Sequence, residues 1–510
     1  MATIQILSTS DVHGYFQADD FRRPLINDGF GLTRAASVID QLRTEHATII
    51  IENGDFIQGS PLTSYIEKQA PEADGIYHEL ASAIGYDVRV LGNHEFNYGR
   101  AYLEELFADD QTLLNANILD SVTGKPFVGQ PYRIFNRAEL KVAVIGLTTS
   151  YIPQWEKPAN IKGLLFADPV QTAQDLVANL RDQVDVIVVA YHGGFNRDLQ
   201  TNNAIEVQTA ENQGNDLLAV KGIDALVTGH QHRAIAEVVG GVPTTQPGYR
   251  GNNVGVMTLT VTDGKVAQAK AELFQTADFA EQAKLVDKTQ SIQTATNDWL
   301  DVPIGFVGDN LLLTDHFAAR VHSHPFVELV NRVQMAAGNA PIAATSLFTD
   351  EMRGLPNAVT LRDILTNYIY PNTLVVERLS GADIKAALEV SAGYFTKENG
   401  ELTVSSAYTT PKLRHFDYDI WSGITYQFDI DRPLGQRVVS VSFDGAPLDD
   451  ATYYDVAMNN YRAGGAGGFE SFGHDKVIYD SQLDIAQLIA DYIAANPDLK
   501  MPQPTNLSIV

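Results

Sequence analysis

Eight side chains in the first half of the sequence are of types that bind metal ions or move protons, and they stand in short polar clusters. Asp11 and His13 lie in "STSDVHG", Asp55 in "ENGDF", Asn93 and His94 in "GNHEFNYG", His192 in "AYHGG", and His230 and His232 in "TGHQH". Six carboxylate or imidazole groups plus the Asn93 amide suffice to hold two divalent ions, with one carboxylate, Asp55, as the bridge. Two such ions sit about 3.5–4 Å apart, clamp a phosphoryl group and turn water into hydroxide. Any one of these clusters alone reads equally well as ordinary turn residues, since Gly and Asn tolerate positive φ. Five of them at successive strand ends read as a metal site.

The chain has no cysteine, so thiolate nucleophiles, disulfides and zinc-thiolate sites are excluded. The remaining oxygen and imidazole donors leave Mn, Fe, Zn, Co and Ni open, because affinity order alone does not choose among them. A net charge of −27 speaks against a long nucleic-acid partner, which is held through Lys and Arg. A small anionic ligand is compatible with it where metal ions or a few arginines reverse the field locally.

The elements that must position these residues are legible. "IQILSTSDVHG", "ATIIIENGD", "DVRVLGNHE", "LKVAVIGLTTS", "VDVIVVAYHGG" and "IDALVTGHQH" are apolar runs that end in polar, Gly-containing turns. "GLTRAASVIDQLRTEH" and "DPVQTAQDLVANLRDQ" read as amphipathic helices between them. Continuous apolar strands alternating with helices indicate an α/β layered domain whose strands are covered on both faces. In open α/β sheets ligands collect outside the carboxyl ends of the strands, where all five clusters fall.

A chain of 510 residues exceeds a single core, and the texture changes along it. The expected division is a catalytic domain over 1–275, one long exposed connector helix within 276–301, and a second domain of mixed helix and strand, rich in Tyr and Phe, over 302–510. Hydrophobic residues at 45% and charged residues at 19% suit a globular protein. No apolar stretch approaches the roughly 20 residues that span a bilayer. The opening "MATIQILSTSD" has neither a basic n-region nor a long apolar h-region. The expectation is a cytoplasmic protein, or one whose leader has been removed.

The clusters stand in the order of the calcineurin-like metallophosphoesterase signature: D-x-H at Asp11–His13, G-D at Gly54-Asp55, G-N-H-(D/E) from Gly92 to Glu95, H at His192, and G-H-x-H from Gly229 to His232. The whole chain resembles the bacterial 5′-nucleotidase and 2′,3′-cyclic-nucleotide phosphodiesterase group of that superfamily. "NGDFIQGSPL", "GNHEFNYG", "SAGYF", "YDIWSGITYQFDI" and "NNYRAGGAGG" tilt it towards the cyclic phosphodiesterase/3′-nucleotidase branch. The resemblance implies a four-layer αββα first domain and a smaller α+β C-terminal domain. It implies that Asp11, His13, Asp55 and His232 hold one ion and that Asp55, Asn93, His192 and His230 hold the other. It also implies that His94 stabilises the transition state or protonates the leaving alkoxide. In the 5′-nucleotidase branch an Asp three residues on orients this His, whereas here that position is Asn97, which accepts a ring hydrogen bond without favouring imidazolium.

In the second domain "NNYRAGGAGG" lacks the Gly-Lys-Ser/Thr ending of a phosphate loop and by itself reads as a flexible turn. Aromatics there read as core, and Arg353 equally as a surface residue or a nucleotide contact. The resemblance implies instead that Tyr461 and Phe416 clamp the base between two rings, an interaction worth ~1–3 kcal/mol and open to any base. The function so implied is two-metal hydrolysis of small nucleotide phosphoesters, 2′,3′-cyclic and 3′-nucleotides first. The alternatives are a 5′-nucleotidase or UDP-sugar diphosphatase on the same scaffold, and a nucleotide sensor without chemistry.

Overall fold

The computed structural model describes residues 1–510 except 24, 26–28, 155, 206–207, 371 and 411–412, and except the side chain of 482. The chain divides into two units, Met1–Trp299 and Leu300–Val510.

Among the described residues, the first unit carries two six-stranded sheets. In one, Ala2–Thr9, Ala47–Glu52, Val88–Val90 and Leu113–Leu114 run parallel, and Asn253–Thr262 and Lys265–Gln275 complete it antiparallel. In the other, Leu140–Thr148, Val186–His192 and Ala225–Val227 run parallel at the centre. Ile4, Ile6, Ile49, Ile51, Val88 and Val90 pack against Val142, Val144, Val186, Val188 and Ala190, so the sheets meet face to face. The alternate residues Ala143, Ile145, Ile187, Val189 and Tyr191 pack outward on Ala173, Val177 and Leu180 of the helix Pro169–Leu180. Both faces are therefore covered, which is why these strands read as unbroken apolar runs rather than alternating ones. Asp168 caps that helix by accepting from the Val170 and Gln171 amides.

Register sets the chemistry. Thr9 pairs with Glu52, Glu52 with Arg89, and Thr148 with His192, so the carboxyl ends of neighbouring strands finish level. The loops that follow are laced together: the Asp11 amide donates to Gly54 O at 2.9 Å, and the His13 amide to Asp55 O at 2.7 Å.

The helix expected as an exposed connector runs Ala283–Leu300 and is not free along its length. Leu285, Thr289, Gln293 and Thr296 are buried at spacings of four, four and three, which place them on one helical face. Gln17 donates to Thr289 and Gln293 to Asp19. Two of these four buried residues are threonines and one a glutamine, so a hydropathy pattern hides the stripe.

The second unit is α+β. A five-stranded sheet takes the order Asp419–Ser422, Ile342–Ser346, Tyr453–Asn459, Thr373–Ser380, Val477–Asp484, with one parallel pair among antiparallel ones. The helix Pro325–Gly338 buries Phe326, Val327, Leu329, Val330 and Val333 in the core of this unit. No helix among the described residues is long and apolar enough to cross a membrane.

Candidate metal centre

The candidate ligand residues sit where their strands stop: His192 is the last residue of its strand, and Asp11, Asp55, Asn93 and His230 follow two or three residues beyond theirs. Asp11, His13, Asp55, His230 and His232 all hold left-handed backbone conformations, with φ between 52° and 71°. For residues with a Cβ this costs about 1–2 kcal/mol each, and such strain gathers where surrounding structure over-determines a functional geometry. Gly92 answers a different need. A Cβ there would run into Asp55 Oδ1, so the third strand's turn closes on the carboxylate only as glycine.

Two donor groups result, Asp11 with His13 and His232, and Asp55 with His192 and His230. The Asn93 carbonyl joins the second, with Oδ1 at 2.8 Å from His230 Nδ1 and 3.2 Å from His192 Nε2. Asp55 Oδ2 lies 3.3 Å from His192 Nε2 and 3.8 Å from His13 Nε2, touching both groups. Asp11 Oδ1 is the other oxygen between them, 3.6 Å from His232 Nε2 and 4.0 Å from His192 Nε2.

Three of the four imidazoles have the nitrogen turned away from the cluster tied to an oxygen. His13 Nδ1 donates to Gln58 O at 2.8 Å, His192 Nδ1 to Asn53 O at 2.7 Å, and His230 Nε2 to Glu211 Oε1 at 3.0 Å. Those acceptors fix each proton on the far side and aim a lone pair inward, the arrangement metal-ligating histidines need. His13 Nε2 and His232 Nε2 face each other at 2.9 Å, a spacing natural for two donors to one ion. His232 stacks on Tyr249 at 5.0 Å.

Charge agrees. Burial pulls His13 down to about 4, so this ring is in its neutral, ligating form. Burial pushes Asp11 up to about 6. At Asp55 the imidazoles around it, His192 foremost, override burial and hold the carboxyl well below its usual range. Burial opposes a charge on His192, yet Asp55 and Asp11 outweigh it and raise that ring's affinity for positive charge, a pull that an ion at its inward nitrogen satisfies in place of a proton. The buried carboxylate pair thus demands positive charge at this spot, and divalent ions supply it. All-oxygen-and-imidazole donors in two adjoining groups fit two such ions.

His94 stands beside the cluster rather than in it. Its amide donates to Asp55 Oδ1 at 2.9 Å, its ring lies 5.4 Å from that of His13, and its Nδ1 is 2.9 Å from Asn97 Oδ1. Glu95 stands in plain view within "GNHE", yet nothing in its sequence context marks a task for it. Its buried carboxylate accepts from the amides of Gly92, Asp55 and Phe56 at 2.6, 3.0 and 2.7 Å, clasping the second and third strand-end loops. Glu211, which orients His230, carries no motif that could have flagged it.

In the second unit Phe416 and Tyr461 are neighbours, ring centroids 6.5 Å apart, but the planes cross at 76°. A flat base sandwiched by both rings needs them near parallel, so the clamp expected from the sequence is not preset in this geometry. Tyr370, which no sequence motif marks, also stands 6.5 Å from Phe416, its ring plane crossing at 77°. The buried side chain of Arg462 donates to Asp419 Oδ2 and to the backbone carbonyl of Phe416, both at 2.7 Å, linking the two ring-bearing segments. Gly467, at φ 79°, has no room for a side chain: a Cβ would meet Asp417 and Arg462. Arg353 is exposed, and its amide donates to Asn367 Oδ1.

Residues 4–234 match the calcineurin-like phosphoesterase family and residues 303–474 match the 5′-nucleotidase C-terminal domain. A Salmonella typhimurium protein named 2′,3′-cyclic-nucleotide 2′-phosphodiesterase/3′-nucleotidase is 31% identical, over 96% of this chain and 86% of its own. A trifunctional nucleotide phosphoesterase of Bacillus subtilis is 28% identical over 99% of this chain and 39% of its own. Among solved structures, a Staphylococcus aureus protein provisionally described as a 5′-nucleotidase, in complex with alpha-ketoglutarate, is 35% identical. It covers 100% of both chains with a TM-score of 0.73.

Proposed function

Because the chain belongs to the calcineurin-like phosphoesterases that carry a 5′-nucleotidase C-terminal domain, it is a metal-dependent phosphoester hydrolase, and we propose that its substrates are 2′,3′-cyclic nucleotides and 3′-nucleotides. Water opens the cyclic diester by breaking the bond from phosphorus to O2′, giving a 3′-nucleotide. A second water then releases the nucleoside and inorganic phosphate. The observation that carries this reading is the near end-to-end similarity to a relative of that name, and the two adjoining donor groups support it.

Asp11, His13 and His232 would hold one divalent ion, and Asn93, His192 and His230 the other, with Asp55 shared between them. When bound, such ions neutralise the phosphoryl oxygens and acidify water. The chain's own residues do the rest. Asp55, by accepting the His94 amide, ties the backbone of the proton donor to the ligand cluster. His94 keeps one ring nitrogen against Asn97 and delivers a proton from Nε2 to the departing ribose oxygen, the work of a general acid. Tyr461, Phe416 and Arg353 are assigned to the nucleoside part of the substrate.

A second reading, hydrolysis of 5′-nucleotides, is favoured by the description of the Staphylococcus aureus relative. Rates with Mn²⁺ on 2′,3′-cAMP, 3′-AMP and 5′-AMP separate the two. The first two are expected to lead, and a dominant rate on 5′-AMP would reverse the assignment.

A further inference from the structure

The position that orients His94 is an amide, Asn97, and behind that amide stands a carboxylate from a distant part of the chain. Asn97 Nδ2 donates to Glu156 Oε2 at 2.7 Å, while Asn97 Oδ1 lies 2.9 Å from His94 Nδ1. Glu156 is itself well held. Its Oε1 accepts from Asn160 Nδ2 at 2.8 Å and from the Lys157 amide at 2.7 Å, and its own amide donates to Ile152 O. Asn160 Nδ2 also donates to the Asn97 carbonyl at 3.0 Å, and Asn160 O accepts the Arg100 amide at 2.8 Å. The turn bearing Glu156 is thereby stitched to the C-terminal side of the segment that carries His94 and Asn97, at Asn97 and at Arg100.

We propose that Glu156 is a positioning residue that sets the tautomer of His94 through Asn97. A carboxylate only accepts hydrogen bonds, so the Asn97 NH₂ must face Glu156. The Asn97 carbonyl oxygen is then the atom against the ring, and it too only accepts. The proton of the neutral imidazole is consequently held on Nδ1, and Nε2 is the nitrogen that takes up and delivers the second proton. Without Glu156 the amide can turn over and present NH₂ to Nδ1, which selects the Nε2–H tautomer and blocks that traffic.

This inference rests on the proton-donor role given to His94 above, and its test reaches beyond activity. Full-length protein labelled with ¹⁵N-histidine and loaded with diamagnetic Zn²⁺ reports the His94 tautomer through long-range ¹H–¹⁵N correlations, assigned against His94→Asn. Wild type is expected as Nδ1–H. Glu156→Ala should shift His94 towards Nε2–H, and Glu156→Gln should restore Nδ1–H, because the new carbonyl still accepts from Asn97. Bound zinc, measured by elemental analysis, should be equal in all three. In rates, Glu156→Ala should cost about tenfold in kcat on 2′,3′-cAMP, a part of the roughly 10²–10⁴ a positioned acid contributes, with KM little changed and most of the loss recovered in Glu156→Gln. On bis-p-nitrophenyl phosphate, whose leaving group needs little protonation, the loss should be clearly smaller. An unchanged tautomer in Glu156→Ala, or equal losses on both esters, would overturn the proposal and leave Glu156 as a pin for its turn. A wild type inert towards nucleotides would count against the substrate assignment alone, since the tautomer measurement still decides the role of Glu156.

Discussion

At the strand ends of the first unit, five ligand residues hold left-handed backbone conformations, and three imidazoles have their outer nitrogen locked by an oxygen. In the second unit Phe416 and Tyr461 meet edge to face, Tyr461 is 48% exposed, and what is rigid there is the Arg462 network beneath them. The contrast follows from the task proposed for each region. Donors to two adjacent cations must converge within tenths of an ångström, because electrostatic stabilisation is effective only when its geometry is set beforehand. A ring that stacks on a base tolerates rotation and sliding, because every base offers a π-face. Left-handed backbone is therefore gathered at the donor groups of the first unit, whereas in the second Phe416 packs on the core and Tyr461 is left half-exposed.

If that contrast is right, damage to the first region should be catastrophic and damage to the second graded. Asp55→Ala is the harshest case. Hydrolysis of every substrate should fall to background and metal content below two per chain, while nucleoside binding measured by calorimetry persists. Two retained metals with substantial turnover would remove Asp55 from the bridging position. His94→Asn should lower kcat by roughly 10²–10⁴ with both metals still present by elemental analysis, separating the proton donor from the ligands around it. Asn93→Ala should do the reverse: the amide carbonyl beside His192 and His230 is lost, so metal occupancy drops in proportion to activity and excess Mn²⁺ restores part of the rate. The mildest effect is expected from Tyr461→Ala. Loss of one stacking surface, ~1–3 kcal/mol, should appear mainly as a raised KM for nucleotides and hardly at all with bis-p-nitrophenyl phosphate. Equal damage to both esters would mean that Tyr461 supports the fold, and the contrast between the regions would weaken.

Much of this was legible from residue order. The six apolar runs became strands, five of which carry the site, and Asp168 became the N-cap of the helix read from "DPVQTAQDLVANLRDQ", because burial on two faces and capping both leave local signatures. The donor residues were legible because chemistry restricts their types and turns restrict their neighbours. What stayed hidden was of another kind. Glu211 and Glu156 look like any acidic surface residue, since what distinguishes them is the partner each meets, His230 in one case and Asn97 in the other. Glu95 was visible but mute, because its task is to receive backbone amides from two loops, and backbone amides have no sequence.

The sequence by itself determined the inventory: parallel strands covered on both faces, seven oxygen and imidazole donors at their ends, and a chain too long for one core. Tertiary structure alone decided which nitrogen of each imidazole points inward, which oxygens lie between the two donor groups, and that the ring pair of the second unit stands at 76° rather than stacked. The physical reason is range. Strand and helix periodicity are written within a few residues, whereas a tautomer is set by an acceptor that the fold delivers from elsewhere: 45 residues away for His13, 139 for His192, and 59 from Asn97 to Glu156.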